Sequence, residues 1–421
     1  MTSFSLESHF AGVMGDLLGP GFPAEIGLAV SGGGDSMALL TLAHNWTRRM
    51  GVGLRVVTVD HGLRSESAGE AAFVARECAA MGHAHDILRW QDWDGSGNLQ
   101  EAARAARLRL IGAWRGDLQH VLMAHTLDDQ AETVLMRLAR GSGVDGLAGM
   151  AARRFVAEEE GTGFWLLRPL LEVRRAELRH YLTVLKGHWI EDPSNGDARF
   201  ERVRVRQALE VLAPLGLDAP ALAETAGRMA RAQAALRARA CEAADRVVRQ
   251  VHGDLLYDRD GLATLDDETR MRLLAAGLQF VSGQVYRPRA RALAAAAGQV
   301  ASGGTATLHG CLMRAERSEI RICREYAAVA EAVAPVGGLW DGRLRLSGAG
   351  LGPGEVRALG AEGASQLSER PSGLPYQSLI AQPAVFDGPR LVAFAPAGVG
   401  PAHEIHRRAG AGGFSAFLAV H

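Results

Sequence analysis

Lysine is almost absent from this chain. Of the 46 basic residues in a sequence of 421, all but Lys186 are arginine. Cationic contacts to phosphate must therefore come almost entirely from guanidinium groups, which bind two phosphate oxygens at once and stack on bases. A compositional bias of the source genome explains the scarcity of lysine better than a functional choice does. The formal net charge of -1 excludes no class of partner, because nucleic-acid binding needs only a local basic face.

Paired cysteines and long apolar runs are also missing. Cys78, Cys241, Cys311 and Cys323 are scattered without a C-x-x-C pair, so the sequence predicts neither a disulfide framework nor a zinc site. No run of roughly 18 apolar residues occurs, and the opening of the chain has no basic segment. We therefore expect a cytoplasmic protein with no membrane span and no signal peptide.

What the sequence does contain is an alternation of short apolar runs with longer helical patterns, which is typical of βαβ units around a parallel sheet. The length favours two or three domains. We predict an α/β fold with a doubly wound, mostly parallel, Rossmann-like sheet in a catalytic domain at 1–215. A helical domain at 216–326 and a small C-terminal α+β domain at 327–421 would follow it.

The predicted elements are clearest in the first domain. Strands are expected there at 27–30, 54–59, 84–90 and 120–124, and helices at 36–50, 67–81, 99–115 and 128–140. The alanine- and arginine-rich region that follows predicts helices at 221–250, 266–278 and 287–300, with two short strands at 305–308 and 320–323. The last part is rich in Gly and Pro, and short strands are expected at 344–346 and 391–395.

Unusual polar residues follow three of the predicted strands. They lie at 31–36, 60–62 and 125–129. In open parallel sheets, ligands bind outside the carboxyl ends of the strands, close to helix N-termini. The three clusters therefore predict one binding site at that edge of the sheet.

The first cluster is a glycine-rich turn placed directly between a strand and a helix, and it consists of Ser31, Gly32, Gly33, Gly34, Asp35 and Ser36. Glycines let backbone N–H groups approach phosphate oxygens, and the helix N-terminus adds positive potential. A Walker A loop needs a lysine, which this turn lacks. A flexible linker is the alternative interpretation, but linkers do not normally join a strand directly to a helix. The turn therefore predicts a phosphate-binding loop that is not of the Walker type.

The third cluster opens a predicted helix. Asp128 and Asp129 stand in its first turn, where the helix dipole favours anions, and Glu132 shares a helix face with Asp129. Helix capping is an alternative explanation for both aspartates, and for Asp128 we favour it.

These segments resemble those of a known family. The turn is similar to the S-G-G-x-D-S loop of PP-loop ATP pyrophosphatases, and 59–64 and 124–133 resemble segments of the tRNA(Ile)-lysidine synthetase family, the second matching A-H-x-x-D-D-x-x-E-T. Further similarities are R-G-S-G-x-x-G-L at 140–147, R-P-L-L at 168–171 and D-P-S-N at 192–195. Leu108 and Val203 depart from the family pattern, which has tyrosine and asparagine there. The resemblance is dense from 26 to 206, thin to 325 and faint beyond.

The resemblance implies roles for individual residues. ATP would be bound by the turn, Ser31 to Ser36, together with Asp60 and His61. Asp35 and Asp129 would bind Mg²⁺ and, with His125, form the catalytic group. Lysine or tRNA would contact Arg104, Arg107, Glu132, Arg140, Asp192, Asn195, Arg202 and Arg206. For Arg202 and Arg206, which belong to a run of arginines, a solvated helix face is an equally good explanation.

The implied activity is ATP-dependent ligation of free L-lysine to C2 of the wobble cytidine of tRNA(Ile) with a CAU anticodon. It would pass through an adenylated cytidine, give lysidine and change codon reading from AUG to AUA. A tRNA thiolase of the same class is the nearest alternative, although the cysteine spacing does not favour it. A PP-loop amide ligase is less favoured, because the sequence contains no recognisable glutaminase-like domain. The presence of both Asp35 and Asp129 argues against a non-catalytic tRNA-binding module. The resemblance also implies that the helical domain at 216–326 binds tRNA and that the diverged C-terminal domain at 327–421 contacts it. Whether the chain forms a homodimer stays open.

Overall fold

The computed structural model describes residues 5–62, 67–93, 95–157, 163–191, 199, 201–407 and 413–420. The chain divides into two compact units, one of Met1–Val156 with Gly163–Gln233 and the other of Ala157–Thr162 with Ala234–His421. Within the described ranges, no helix has both the length and the apolar character needed to cross a lipid bilayer. The expected domain boundaries at 215 and 326 stay a prediction.

The first unit is built on a six-stranded sheet in the order β3-β2-β1-β4-β6-β5. The pairs β1–β2, β2–β3, β1–β4 and β4–β6 are parallel. The predicted doubly wound, mostly parallel sheet is therefore confirmed. Its strands are β1 Glu25–Ala29, β2 Gly53–Asp60, β3 Ala84–Arg89, β4 His120–Met123, β5 Arg153–Ala157 and β6 Gly163–Leu167.

Helices connect these strands and agree closely with the predicted ones. The first unit contains α1 Leu6–Leu18, α2 Gly34–Met50, α3 Ser67–Met81, α4 Leu99–Trp114, α5 Leu127–Ala139, α6 Val144–Leu147, α7 Arg175–Val184 and α8 Glu201–Leu212. Helix α9, Ala219–Val247, begins in the first unit and ends in the second.

The central strands β1, β4 and β6 are buried on both faces, and this explains why they are mostly apolar. On one face, Ile26 and Leu28 of β1 share a core with side chains of α1, α2 and α7. On the other, Ile111 of α4 packs with Val121 and Phe164. The chain runs from β1 through β2 to β3 and then returns to β4 on the other side of β1. The carboxyl ends of β1 and β4 therefore flank the reversal point where such sheets bind ligands.

The second unit contains more sheet than the sequence predicts. Five strands form the order β7-β8-β11-β10-β9 and pair antiparallel, whereas only two were expected in the helical region. The strands are β7 Val248–Val251, β8 Asp254–Asp258, β9 Thr305–Leu308, β10 Cys311–Ala315 and β11 Glu319–Arg324. The apolar run of β8 has no alternation to separate it from a helix segment, so it was missed.

Three helices accompany this sheet, namely α10 Arg259–Ala263, α11 Asp267–Ser282 and α12 Ala290–Ala301. Most of α11 is buried, and Gly277 makes room for Tyr257, whose hydroxyl lies 2.0 Å from where a Cβ would stand. That hydroxyl donates to the carbonyl of Leu273 at 3.0 Å. A glycine in the middle of the helix therefore permits close packing of helix on sheet.

The remainder of the second unit forms two small sheets, in the orders β12-β15-β16-β17 and β13-β14-β18. Their core surrounds the fully buried Trp340. This agrees with the small C-terminal α+β arrangement expected from the sequence. The elements are β12 Val333–Pro335, β13 Leu339–Trp340, β14 Leu344–Ser347, β15 Glu355–Ala358, α13 Gly360–Ser365, α14 Tyr376–Ile380, β16 Pro383–Asp387, β17 Arg390–Ala393, β18 Glu404–Arg407 and α15 Phe414–Val420.

Candidate active site

The glycine-rich turn leads directly from β1 into α2. Gly33 is the N-cap residue of the helix, and Gly32 adopts φ of 87°, in the left-handed region that glycine tolerates best. The Ser36 hydroxyl donates to the carbonyl of Gly33 at 2.9 Å and accepts the N–H of Ser31 at 3.2 Å. Ser36 therefore holds the shape of the turn from within, while Ser31 lies at the surface.

Arg175, the first residue of α7, joins carboxylates that come from different parts of the sheet edge. Its Nε donates to Oδ2 of Asp35 at 2.9 Å and its Nη2 to Oδ1 of Asp129 at 3.0 Å. Its Nη1 lies 3.5 Å from Oε1 of Glu132. Its backbone N–H donates to Oδ2 of Asp128 at 2.7 Å. One guanidinium group thus collects three carboxylates beside the turn.

The two aspartates that share Arg175 differ in their tendency to ionise. Burial raises the pKa of Asp35, and the nearby Arg175 offsets this only in part. Burial acts in the same sense on Asp129, but Arg175 and the backbone N–H of Thr126 outweigh it and lower the pKa of that carboxyl. Oδ1 of Asp35 is buried and has no hydrogen-bond partner among the described residues. Asp35 therefore offers an oxygen that a cation could use.

Asp129 is held by the start of its own helix. Thr126 is the N-cap of α5 and its backbone N–H and hydroxyl donate to Oδ2 of Asp129 at 2.9 and 3.0 Å. The backbone N–H of Asp129 returns a bond to the Thr126 hydroxyl at 3.3 Å. This reciprocal capping box fixes the rotamer of Asp129. The capping explanation therefore holds for this residue, and its role in a site stays a prediction.

Glu132 lies one helical turn further along α5 and is buried, with a side chain only 1% exposed. Its Oε1 accepts from Nε of Arg206 at 2.6 Å. Its Oε2 is also buried but has no partner among the residues described. A buried carboxylate oxygen without a donor costs free energy, so this position is suited to a ligand that brings an N–H group.

His125 stands at the end of β4 and is held as a neutral imidazole. Burial and the adjacent Arg168 lower its pKa well below the ordinary value. Nε of Arg168 donates to Nδ1 of His125 at 3.2 Å. Because arginine has no acceptor, Nδ1 must be unprotonated and the proton must lie on Nε2. His125 can therefore donate a hydrogen bond from Nε2, but Nδ1 is not free to take up a proton.

Asp60 is the last residue of β2, His61 follows it, and both side chains have hydrogen-bond partners nearby. Oδ1 of Asp60 accepts the N–H of Gly62 at 2.9 Å, which stabilises the turn. Nη2 of Arg107 lies 3.3 Å from Nε2 of His61, so the His61 proton must lie on Nδ1. Burial and Arg107 lower the pKa of His61 to about 4. Trp90 contacts the ring edge-on, with centroids 5.8 Å apart.

Three of the predicted substrate arginines form a cationic group near His125. Burial lowers the pKa of Arg107, and the charges of Arg104 and Arg202 lower it further. The same two arginines also oppose protonation of His125. Positive charges that act on one another in this way repel, so an anion such as a phosphate would be favoured beside this group.

The remaining predicted residues have different positions. Arg140 is exposed and forms a salt bridge with Glu201, with Nη2 and Oε2 2.6 Å apart. Asp192 and Asn195 lie outside the described residues. Arg206 is occupied by Glu132, as described above.

Sequence reasoning missed Arg175, which has the most contacts with the predicted carboxylates. Its neighbour Arg174 is also an arginine, and no local pattern separates the two. A signal was nevertheless present, because the helix dipole disfavours a cation in the first turn of a helix unless carboxylates lie nearby.

Comparisons with known proteins show the family to which the chain is similar. The model of the PP-loop domain family matches residues 6–212. A tRNA(Ile)-lysidine synthase of Ruegeria pomeroyi is 46% identical over 402 residues, which cover 95% of each chain. Proteins of the same name from Bradyrhizobium diazoefficiens and Hyphomonas neptunium are 42% and 40% identical, over 66% and 75% of this chain and 80% and 85% of their own lengths. This chain belongs to the tRNA(Ile)-lysidine synthase family.

Proposed function

We propose that the chain is a ligase that joins free L-lysine to C2 of the wobble cytidine of tRNA(Ile) with a CAU anticodon, at the expense of ATP. The observation that carries the proposal is the convergence of Asp35, Asp129 and Glu132 on Arg175 beside the glycine-rich turn. Family membership supports the same reaction, and the thiolase and non-catalytic alternatives are not favoured. A cytoplasmic location follows from a tRNA substrate.

ATP would lie with its phosphates against the turn. The N–H groups at the start of α2 and the helix dipole would stabilise the negative charge of the departing pyrophosphate. Gly32 and Gly33 would let the backbone approach the phosphate oxygens. The Ser31 hydroxyl, at the surface of the turn, would add a further hydrogen bond.

Mg²⁺ would be bound by the carboxylates of Asp35 and Asp129. No group of three or more His, Cys, Asp or Glu side chains forms a metal centre in the described part of the chain. Mg²⁺ in nucleotide enzymes, however, commonly takes one or two carboxylates and completes its shell with phosphates and water. Asp35, with its unpartnered Oδ1, fits better than Asp129, whose oxygens both accept hydrogen bonds. The ion would neutralise phosphate charge as it develops.

The substrate lysine would place its ammonium group near Glu132. The unpartnered Oε2 of Glu132 would accept one N–H, and the negative charge of Asp129 would add attraction. Arg206 holds the other oxygen of Glu132 and so sets the direction in which Oε2 points.

The target cytidine would enter beside the cationic group of Arg104, Arg107 and Arg202. The base must leave its stack to expose its C2 edge, and guanidinium groups can hold the flanking phosphates or stack on the base. The Nε2–H of His125 would donate to a developing negative oxygen.

The reaction would have two steps. The C2 oxygen of cytidine attacks the α-phosphorus of ATP, forming a phosphate ester and releasing pyrophosphate. The neutral ε-amine of lysine then attacks C2, AMP leaves with the oxygen, and the amine loses a proton.

Transfer of radiolabelled lysine to CAU-anticodon tRNA(Ile) in the presence of ATP and Mg²⁺ tests the proposal. We expect label in the tRNA, one AMP and one pyrophosphate per lysine. A folded chain that transferred no lysine would contradict the ligase proposal.

An Asp35→Ala variant tests the metal assignment. We expect loss of pyrophosphate release, while tRNA binding measured by filter retention stays within about threefold of wild type, because the tRNA contacts lie on other side chains. The exposed Asp16→Ala variant, on α1, serves as the charge-matched control. Turnover near the wild-type rate in Asp35→Ala would show the metal assignment to be wrong.

A further inference from the structure

A cavity of about 340 Å³ lies within the second unit, far along the chain from the residues discussed above. Its lining includes Arg324, Arg343 and Arg407, together with Asp254, His252 and Gln382. It is unusual for three guanidinium groups to line one cavity, because burying a charge costs free energy unless a partner neutralises it.

Two of these arginines are neutralised by one aspartate. Arg324 binds both carboxylate oxygens of Asp341, each at 2.9 Å. Arg343, only 7% exposed, also donates to Oδ2 of that carboxylate. A single negative charge is therefore shared by two cations.

Asp254, the carboxylate that lines the cavity, already has hydrogen-bond donors of its own. Oδ2 of Asp254 accepts from Nη1 of Arg321 at 2.8 Å and also from the hydroxyl of Ser378. Arg321 is not part of the cavity lining. Asp254 is thus directed towards an arginine outside the cavity.

Arg407 makes its hydrogen bonds to backbone carbonyls, and the charge of Asp254 acts on it without a salt bridge between the two in the described part of the chain. Its Nη1 and Nη2 donate to the carbonyls of Phe280 and Gly253, at 3.0 and 3.3 Å, and its guanidinium lies 4.1 Å from the centroid of the Phe280 ring. Among the described residues no acidic side chain forms a salt bridge with it. Burial and the charge of Arg343 lower the pKa of Arg407 to about 9, so it is still mainly charged at neutral pH.

We infer that this cavity binds a phosphate group, with Arg407 as the principal contact and Arg343 and Arg324 alongside. An arginine has five N–H donors, and Arg407 uses two of them, so donors remain for an anion. Arg324 on β11, Arg343 in the turn before β14 and Arg407 on β18 line the same cavity, and guanidinium groups form strong charge-assisted hydrogen bonds with phosphate oxygens. The volume also leaves room for more than the phosphate itself.

The phosphate could belong to a small molecule or to the backbone of RNA, and both present the same oxygens. The inference is independent of the proposed ligase reaction, since no residue of the first unit takes part in it.

Isothermal titration of the full-length chain with inorganic phosphate provides the test. The glycine-rich turn is first saturated with a non-hydrolysable ATP analogue, so that heat reports on other sites. We expect one saturable equivalent of phosphate, and about a tenfold or greater loss of affinity in Arg407→Met, because a charged hydrogen-bonding partner is removed. Arg314→Met, an exposed arginine on β10, removes the same charge and should bind phosphate as wild type does.

A second measurement guards against a folding defect in the variant. Phosphate should raise the midpoint of thermal unfolding of wild type and Arg314→Met but not that of Arg407→Met. Absence of saturable binding to the wild-type chain, or unchanged affinity in a folded Arg407→Met, would overturn the inference.

Competition with short single-stranded RNA separates the two sources. If RNA displaces phosphate, and loses affinity in Arg407→Met, the natural occupant is an RNA phosphate. If RNA does not compete while phosphate still binds, the occupant is a small phosphorylated molecule. Either result supports a phosphate site.

Discussion

At the scale of single residues, one cation lies among several carboxylates of the candidate site. Arg175 contacts Asp35 and Asp129 and lies near Glu132. It keeps the charges of these groups compatible before a substrate arrives. This role differs from that of Arg206, which forms a salt bridge with Glu132 but with neither of the two aspartates.

Replacing Arg175 by methionine should leave this cluster with too much negative charge. We expect kcat/KM for lysine transfer to fall by about 100-fold, because the carboxylates would repel the ATP phosphates and lose their geometry. Steady-state kinetics checks this, with Arg174→Met, the exposed neighbour on the same turn, as the control. Equal activity in the two variants would contradict the role of Arg175.

The same variant should have an altered dependence of stability on pH. In wild type, the lowered pKa of Asp129 adds stability that is lost as pH falls below its ordinary value of 3.8. Without Arg175, burial dominates and both aspartate pKa values rise. The variant should therefore lose about 3 kcal/mol of unfolding free energy at pH 7 and less near pH 4, where protonation removes the buried charge. Urea titrations at the two pH values measure the difference.

His125 and His61 should have opposite tautomers. Arg168 donates to Nδ1 of His125, and Arg107 to Nε2 of His61, so the protons must lie on Nε2 and Nδ1 respectively. Nitrogen-15 correlation spectra of the imidazole rings, assigned with His125→Asn and His61→Asn, report the tautomers directly. The same tautomer in both rings would show that one of the two arginine contacts is wrong.

At the scale of elements, the helix starts position the functional groups. Helix α2 begins in the glycine-rich turn, α5 begins at the carboxylates, and α7 begins with Arg175. Three helices thus point their N-termini at one region, and their dipoles add positive potential where ATP phosphates would bind.

Thr126→Ala should affect both stability and catalysis. The change removes the cap of α5 and a hydrogen bond to Asp129, so we expect about 1 to 2 kcal/mol less unfolding free energy and a lower kcat. Asp266→Ala removes a comparable cap, that of α11, without touching the site and should leave kcat unchanged. Denaturant titration and kinetics of both variants distinguish a local cap from a catalytic position. An unchanged kcat in Thr126→Ala would mean that Asp129 needs no support from Thr126.

The regular elements around the site could be predicted from sequence because their causes are local. Both ends of α3 agree with the prediction, and the ends of β1 to β4 lie within about two residues of those predicted. Apolar runs and helix caps in the sequence indicate where these elements begin and end. The contacts of Arg175 could not be predicted, because they join residues 140 positions apart. The β8 strand was missed because its burial on both faces removes the alternation that identifies a strand.

At the scale of the whole molecule, half-buried histidines with lowered pKa values should make the chain sensitive to mild acid. Burial lowers the pKa of half of the 14 histidines, namely His44, His61, His83, His85, His120, His125 and His309. Below pH 6.5 these histidines bind protons in the unfolded chain but stay neutral in the folded chain, so the free energy of unfolding falls as pH decreases. His125 alone should contribute about 2 kcal/mol of this loss by pH 5.

Urea unfolding followed by circular dichroism between pH 7.5 and 5 measures this dependence. His125→Gln should flatten it, whereas the exposed His188→Gln should not. A free energy of unfolding that stayed constant over this range would contradict neutral buried imidazoles.

Because the chain contains a single lysine, a dye can be attached selectively beside α7, the helix that begins with Arg175. Lys186 lies exposed just beyond the end of α7, with φ of 55°, and is the one side-chain amine in the chain. A fluorescent succinimidyl ester would therefore label a single side chain, about 15 Å along the helix from the guanidinium at its start. Any tilt of α7 when nucleotide arrives would change the emission of that dye, so the motion could be followed in real time without engineering a cysteine.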